Sequence, residues 1–184
     1  MNNDQEALNM TDVRKAVEAD LPRVAAIYDA LHTAEESGRA VIGWIRGVYP
    51  TAQTAREALD AGDLYVMEDG NEIVASAKIN REQVLEYTGA AWLYPDAPPE
   101  RIMVLHTLTV DPSCAGKGYG SAFVRFYERF AQENGCPYLR MDTNERNLAA
   151  RRLYARLGYR EAGVVGCTFN GIPGVRLVCL EKTL

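Results

Sequence analysis

A glycine-rich segment past the middle of the chain has the residue types and spacing of an anion-binding loop. Its alternating glycines and their neighbours are Gly116, Lys117, Gly118, Tyr119, Gly120 and Ser121. Glycines let the backbone turn tightly and approach a ligand closely. Where such a loop opens a helix, the free amides of the first turn and the positive end of the helix dipole attract phosphate. The segment therefore predicts a pyrophosphate site, at which Lys117 either adds positive charge or faces the solvent.

Two other nucleotide motifs fit this loop less well. A P-loop requires Ser or Thr after its lysine, whereas Lys117 is followed by Gly118. A dinucleotide-binding fingerprint would use Gly116 and Gly118, with Asp142 as the ribose carboxylate. Its third glycine would then be needed at position 121, which is Ser121. The glycines are also compatible with a tight turn that binds nothing.

A second segment, residues 147–159, combines a capped helix with a tyrosine that can donate a proton. Asn147 is a typical helix N-cap, and Gly158 is typical of the position after a helix. The residues that share one helical face are Ala150, Leu153, Tyr154 and Leu157. Since a tyrosine hydroxyl is a donor at neutral pH, Tyr154 is either a core residue or an acid.

The elements that must position these segments follow from hydrophobic periodicity and turn residues. They predict a strand, two helices, a hairpin, a long strand, and then helix, strand, helix and two strands. The expected strands cover residues 13–17, 64–68, 73–80, 101–110, 138–142, 159–165 and 175–182. The expected helices run from residue 20 to 35, from 51 to 61, from the glycines to Gly135, and from 147 to 158. Residues 43–50 and 89–99 are expected to be loops, the second one exposed.

Composition limits the class of protein. The chain has 184 residues, of which 47% are hydrophobic, and fits one domain, residues 11–184, after a flexible start at 1–10. A formal net charge of -5 does not favour binding to nucleic acid. No signal peptide or membrane span is apparent, and the four cysteines lack zinc spacing, so we expect a cytoplasmic protein without a metal.

Both segments resemble motifs of the GNAT superfamily of N-acetyltransferases. Gly118 and Gly120 fill the glycine positions of its loop motif, [Q/R]-x-x-G-x-[G/A], although Ala115 stands at the Q/R position. Residues 147–159 match the pattern N-x-x-A-x-x-L-Y-x-x-x-G-[F/Y] at all six signature positions. The resemblance implies a mixed α/β fold, with a central, mostly antiparallel sheet and helices on both faces.

The resemblance also implies acetyl-coenzyme A as co-substrate. Main-chain groups of Leu108, Thr109 and Val110 would pair with its pantetheine arm, residues 116–121 would hold its pyrophosphate, and Asn147 would touch the arm. A primary amine would attack the thioester directly in a ternary complex, with an amide near Leu108 stabilising the oxyanion and Tyr154 protonating the thiolate. His106 is either the general base or a packed or surface histidine, since two residues of separation on a strand put it on the same face as Leu108. His32 and the pair Glu35 and Glu36 are weaker candidates for the base.

The acceptor site is the least defined part. Trp44, Tyr49 and Trp92 occupy predicted loops and are candidate walls of an acceptor pocket, or satellite core residues. The acceptor would be a small or peptide amine, and a homodimer is compatible with the family. The alternatives from other classes are an acyl-CoA-binding regulatory domain with little turnover and a dinucleotide-binding oxidoreductase.

Overall fold

Residues 11–184 form seven strands and four helices in the predicted order in the computed structural model, which describes this part of the chain. The strands are β1 (Thr11–Lys15), β2 (Leu64–Asp69), β3 (Glu72–Asn80), β4 (Ile102–Val110), β5 (Tyr138–Asn144), β6 (Arg160–Phe169) and β7 (Ile172–Thr183). The helices are α1 (Leu21–Glu36), α2 (Ala52–Asp60), α3 (Tyr119–Glu133) and α4 (Leu148–Arg156). The segment expected to be flexible, 1–10, lies outside the described residues.

The strands form one sheet in the order β1-β2-β3-β4-β5-β7-β6. Every neighbouring pair is antiparallel except β4 and β5, which are parallel. The β4–β5 ladder runs only from the pair Ile102 and Tyr138 to the pair Leu105 and Met141, although both strands continue further. The two strands therefore diverge and leave a gap in the middle of the sheet.

Helices cover both faces of the sheet, as predicted. On one face, α1 and α2 bury Val24, Ile27 and Ala55 against Leu64 and Val66 of β2. On the other face lie α3 and α4, whose buried residues include Phe123, Tyr127 and Tyr154. Phe123 and Tyr127 are four residues apart, which is the spacing of one helical face. Within residues 11–184, no helix is long and apolar enough to cross a membrane.

The last two strands are longer than the sequence indicated. They form a hairpin in which Phe169 pairs with Ile172 across the two residues Asn170 and Gly171. Both turn residues have positive φ, 50° and 79°, as a type I′ turn requires. Asn170-Gly171 is a common pair for that turn, so residues 166–174 belong to the hairpin instead of a loop.

Residues 89–99, before β4, form the mostly exposed loop that their composition predicts, whereas the residues just before them pack on the sheet. A short 3-10 turn at Leu85–Gly89 buries Tyr87 to 2% exposure against the face of the sheet that carries α1 and α2. Trp92 packs beside it, its ring edge on Tyr87 and its Nε1 donating to the Tyr87 carbonyl at 2.8 Å. The guanidinium of Arg140 lies 4.3 Å from the Trp92 ring. These contacts make the segment a cover over the sheet.

Candidate active site

The gap between β4 and β5 opens into a cavity of about 690 Å³. Its walls come from both strands, the glycine loop, α4, the residues after α1, and the β6–β7 hairpin. Most of the residues predicted for the site line it, namely Trp44, Tyr49, Leu108, Thr109, Val110, Gly116, Gly118, Tyr119, Gly120, Ser121, Asn147 and Tyr154. The structure thus brings the two sequence motifs together at one place.

A β-bulge at Thr107 changes the direction of side chains in β4. Ser76 pairs with Thr109 and Lys78 with His106, so three steps on β4 oppose two on β3. Thr107 has φ 51°, a left-handed conformation that a β-branched residue rarely adopts. Its side chain lines the cavity and is hydrogen-bonded to the Tyr49 hydroxyl. No local sequence pattern marks this conformation, so Thr107 was not predictable as a residue of the site.

The expectation that His106 and Leu108 share a face is wrong because of this bulge. Leu108 packs against the core below α3, and so does Leu105, the residue directly before His106. Neighbouring side chains on a strand point to opposite faces. His106 therefore lies on the opposite face, where its Nε2 is 3.0 Å from Oδ1 of Asn80. Burial, together with the nearby Lys78, lowers the pKa of His106 to about 4. The ring does not line the cavity, so the structure does not bring it to the reacting groups.

The main chain of β4 beyond the bulge has free groups on the side of the gap. The amide of Asp111 donates to Val74 of β3 at 2.8 Å. Main-chain groups alternate in direction along a strand, so Thr109 also faces β3 while Leu108 and Val110 face the gap. The Thr109 side chain is buried and its hydroxyl lies 2.7 Å from that of Ser76. Leu108 and Val110 can therefore pair with an extended ligand, and Thr109 supports them.

The glycine loop presents several amides to the cavity. Gly118 is the N-cap of α3, and its carbonyl accepts from Ala122 at 3.0 Å. The amides of Tyr119, Gly120 and Ser121 precede that first intrahelical bond and are left without a helical partner. Gly116 and Gly118 have φ of 81° and 86°, and a Cβ at either would meet no atom within 4 Å. The loop forms an open cradle of donors at the positive end of a helix.

Close packing between helices explains why residue 120 is a glycine. A Cβ at Gly120 would lie 3.2 Å from Cδ2 of Leu153 and 3.8 Å from Cγ2 of Val110. The absent side chain lets α3 approach α4 and β4, so the two motifs are held side by side. The Lys117 side chain, by contrast, is exposed and is not part of the cavity wall. The exposed Arg156, at the end of α4, does line the cavity and was not anticipated.

A partly buried ion pair fixes the start of the loop. Oδ1 of Asp111 accepts from the amide and the hydroxyl of Ser113, at 2.8 and 2.7 Å. Its Oδ2 accepts from Arg23 of α1 at 2.5 Å. Burial alone would raise the pKa of Asp111, but these hydrogen bonds keep it below its usual value. The loop is thereby attached to the helix on the other side of the sheet.

Tyr154 lies on the same side of the gap as the glycine loop. It is 6% exposed, lies on the face of the sheet with α3, and has its ring centroid 6.0 Å from that of Tyr159. Burial, with the charge of Asp142, raises the pKa of the hydroxyl well above its usual value, so the group is protonated at neutral pH. Asn147 caps the same helix, its Oδ1 accepting from the Ala150 amide at 3.1 Å.

Asp142 is a candidate catalytic group, although its sequence context suggested only a ribose carboxylate. It lines the cavity on β5, and Tyr87 donates a hydrogen bond to its Oδ2 at 2.8 Å. Burial raises its pKa from 3.8 to about 6, although the Tyr87 bond opposes the change. A carboxyl that titrates near neutrality in a cavity is a common mark of a functional site. The signal in the sequence was weak, since it was a single acid at a strand end.

The aromatic residues predicted as acceptor walls divide into two groups. Trp44 and Tyr49 line the cavity as an edge-to-face pair, with ring centroids 6.0 Å apart. Trp92 does not, because its ring is held between Tyr87 and Arg140. The loop that carries Trp44 is fastened by Glu35, whose carboxylate accepts from the amides of Ile42 and Gly43.

Comparison with known proteins gives a consistent result. The sequence model of the Acetyltransferase (GNAT) family matches residues 24–159. An uncharacterized N-acetyltransferase of Bacillus subtilis (strain 168), YhfO, is 32% identical over 103 residues, which is 50% of this chain and 69% of that protein. The matched family segment contains the glycine loop, Tyr154 and both strands that border the gap.

Solved structures have the same fold. A GNAT-family acetyltransferase from Streptococcus agalactiae 2603 has a TM-score of 0.78 at 19% identity, covering 95% of each chain. A ribosomal-protein-alanine N-acetyltransferase from Brucella melitensis has a TM-score of 0.69 at 20% identity, covering 94% of this chain and 99% of its own. At these identities, the likeness extends to the fold alone.

Proposed function

Because the chain belongs to the GNAT family of acetyltransferases, which transfer the acetyl group of acetyl-CoA, we propose that it acetylates a primary amine by direct attack in a ternary complex. Two similar proteins carry names that include N-acetyltransferase, which supports nitrogen as the acceptor atom. The dinucleotide-binding alternative is set aside, because the family transfers acetyl groups. A cytoplasmic location and a homodimer stay predictions.

The residues on the cofactor side of the gap fit acetyl-CoA. The amides of Tyr119, Gly120 and Ser121 suit the pyrophosphate, and the open space at Gly116 and Gly118 leaves room for it. The free main-chain edge at Leu108 and Val110 suits the amide groups of the pantetheine arm, which would add to β4 as a strand does. Arg156 is a candidate contact for a phosphate, in the role expected of Lys117.

Two groups of the chain serve the chemistry. When bound, acetyl-CoA supplies an activated acyl carbon. The Leu108 amide points into the gap beyond the bulge and is suited to donate to the acyl oxygen as negative charge develops there. Tyr154 is buried, protonated and on the cofactor side, so it is suited to give a proton to the departing sulfur.

One observation carries the proposal: the early end of the β4–β5 ladder brings the glycine loop and Tyr154 to the same cavity. A binding domain with little turnover would need the loop but not a protonated tyrosine at the gap. Turnover therefore separates the two functions.

The test measures thiol release from acetyl-CoA with a panel of amines, beside acetyl-CoA binding by calorimetry. We expect binding without an amine, and thiol release that depends on the amine. Binding without acetylation of any amine would favour the regulatory domain. Failure to bind acetyl-CoA would overturn the assignment of the loop.

A further inference from the structure

Asp142 and the apolar walls around it point to a specific acceptor. Resting on the acetyltransferase activity proposed above, we propose that Asp142 binds the ammonium of the acceptor and takes its proton. We further propose that the acceptor is a primary amine on an apolar body, such as an arylalkylamine, with no carboxylate beside the nitrogen. The position of Asp142, its surroundings and the cavity walls each support this assignment.

Asp142 lies on the opposite face of the sheet from Tyr154. The preceding residue, Met141, is buried in the core below α3, to which Tyr154 also belongs. The side chain of Asp142 therefore points to the other face, where it contacts Tyr87. The gap between β4 and β5 joins the two sides. An amine at Asp142 can thus reach an acyl carbon in the gap while the sulfur leaves toward Tyr154.

No basic side chain among residues 11–184 forms an ion pair with Asp142. The nearest cation on its own strand face, Arg140, is hydrogen-bonded to Gln83 and to the Tyr94 carbonyl. The titratable groups around Asp142 from the other elements are Tyr49, Glu86, Tyr87, His106, Tyr154, Cys167 and Cys179. None of them is a cation at neutral pH, His106 included, because its pKa is lowered to about 4. An ammonium ion is the partner that this carboxylate lacks.

The proton balance is complete with these groups. The ammonium loses one proton to Asp142, its nitrogen bonds to the acyl carbon, and the carbon–sulfur bond breaks. Tyr154 gives its proton to the sulfur. After the attack, the nitrogen loses its second proton to the solvent, and the solvent returns a proton to the phenolate of Tyr154. Asp142 then releases its proton to water, because its pKa is below neutral pH. One proton is released overall, as the acetylation of an ammonium requires.

The walls of the cavity beside Asp142 are mostly apolar. They are formed by Trp44, Tyr49, Phe169, Ile172, Val175 and Leu177, with Thr107, Asn144 and Asn170 as polar residues among them. An aromatic or alkyl body would be desolvated there at little polar cost, and the rings of Trp44 and Tyr49 also favour a nearby cation. A carboxylate next to the nitrogen would instead be brought against Asp142 and apolar side chains. Arg39, the basic residue on this rim, is exposed and hydrogen-bonded to Ser37.

The experiment compares matched amines and matched variants. Phenethylamine and phenylalanine differ by one carboxylate, and we expect kcat/KM for phenethylamine to be at least about 100-fold higher, the scale that an unpaired buried charge imposes. D142N should lower kcat by about 100-fold or more and remove the acidic limb of the pH profile near pH 6, with acetyl-CoA binding unchanged. D60N, an exposed Asp→Asn change on α2, should leave both intact.

The outcomes separate this proposal from the general function. Acetylation of phenylalanine at a rate equal to phenethylamine, or a D142N enzyme with wild-type kcat and pH profile, would overturn the proposal and leave the acetyltransferase intact. If no amine releases thiol, the general function fails. Circular dichroism and calorimetry with acetyl-CoA verify that D142N is folded, so that a loss of rate reports on the carboxylate.

Discussion

The partly buried carboxyl of Asp142 leads to a quantitative prediction about stability. A carboxyl group whose pKa is higher in the folded state than in the unfolded state lowers the free energy of unfolding when it ionises. Folding raises the pKa of Asp142 from 3.8 to about 6. The resulting loss of stability therefore grows between these two pH values and is complete above pH 6. A pKa difference of about 2 corresponds to a cost of about 3 kcal/mol, as an upper value.

The Asp142→Asn variant removes this titration and can still accept the hydrogen bond of Tyr87. Its free energy of unfolding should exceed that of the wild type by about 1 kcal/mol at pH 4.5 and by up to about 3 kcal/mol above pH 7. Urea unfolding of both proteins between pH 4.5 and 8 measures the difference, and groups common to both cancel. Two stability curves that run parallel over this range would refute the reasoning, as would a variant that is less stable at pH 7.5.

Four further changes test the site. Gly118→Asp should weaken acetyl-CoA binding by about 100-fold or more, because a side chain and a negative charge would enter the cradle; unchanged calorimetric affinity would contradict the loop assignment. Tyr154→Phe should leave that affinity unchanged and lower kcat by about 100-fold, and an equal kcat would remove Tyr154 from the mechanism. Trp44→Ala should raise KM for the amine by about tenfold through lost apolar contact, which an unaltered KM would disprove. His106→Gln should lower kcat by less than about threefold, and a larger loss would return the histidine to the site.

The half of the candidate site that we propose binds the cofactor was predictable, because its sequence signals are local. The glycine loop and residues 147–159 are continuous segments whose turn, cap and helix preferences agree with the final structure. The order of elements followed for the same reason. Asn170-Gly171 was also a local signal, and giving it weight would have placed the final hairpin correctly.

The half that we propose binds the acceptor was not predictable, because it depends on contacts between distant segments. The side-chain direction predicted for His106 was wrong, because the bulge at Thr107 shifts the alternation of side chains along β4 by one residue. Trp92 lies outside the cavity because Arg140, 48 positions further along the chain, holds its ring. The importance of Asp142 comes from burial and from Tyr87, neither of which is visible in the residues around it.

The divergence of β4 and β5 also affects the kinetics. It lines one cavity with residues from both faces of the sheet, the glycine loop from one face and Trp44 from the other. If acetyl-CoA and the amine approach from these opposite faces, as proposed above, neither has to pass the other. We then expect the order in which they bind to be set by relative affinity instead of by obstruction.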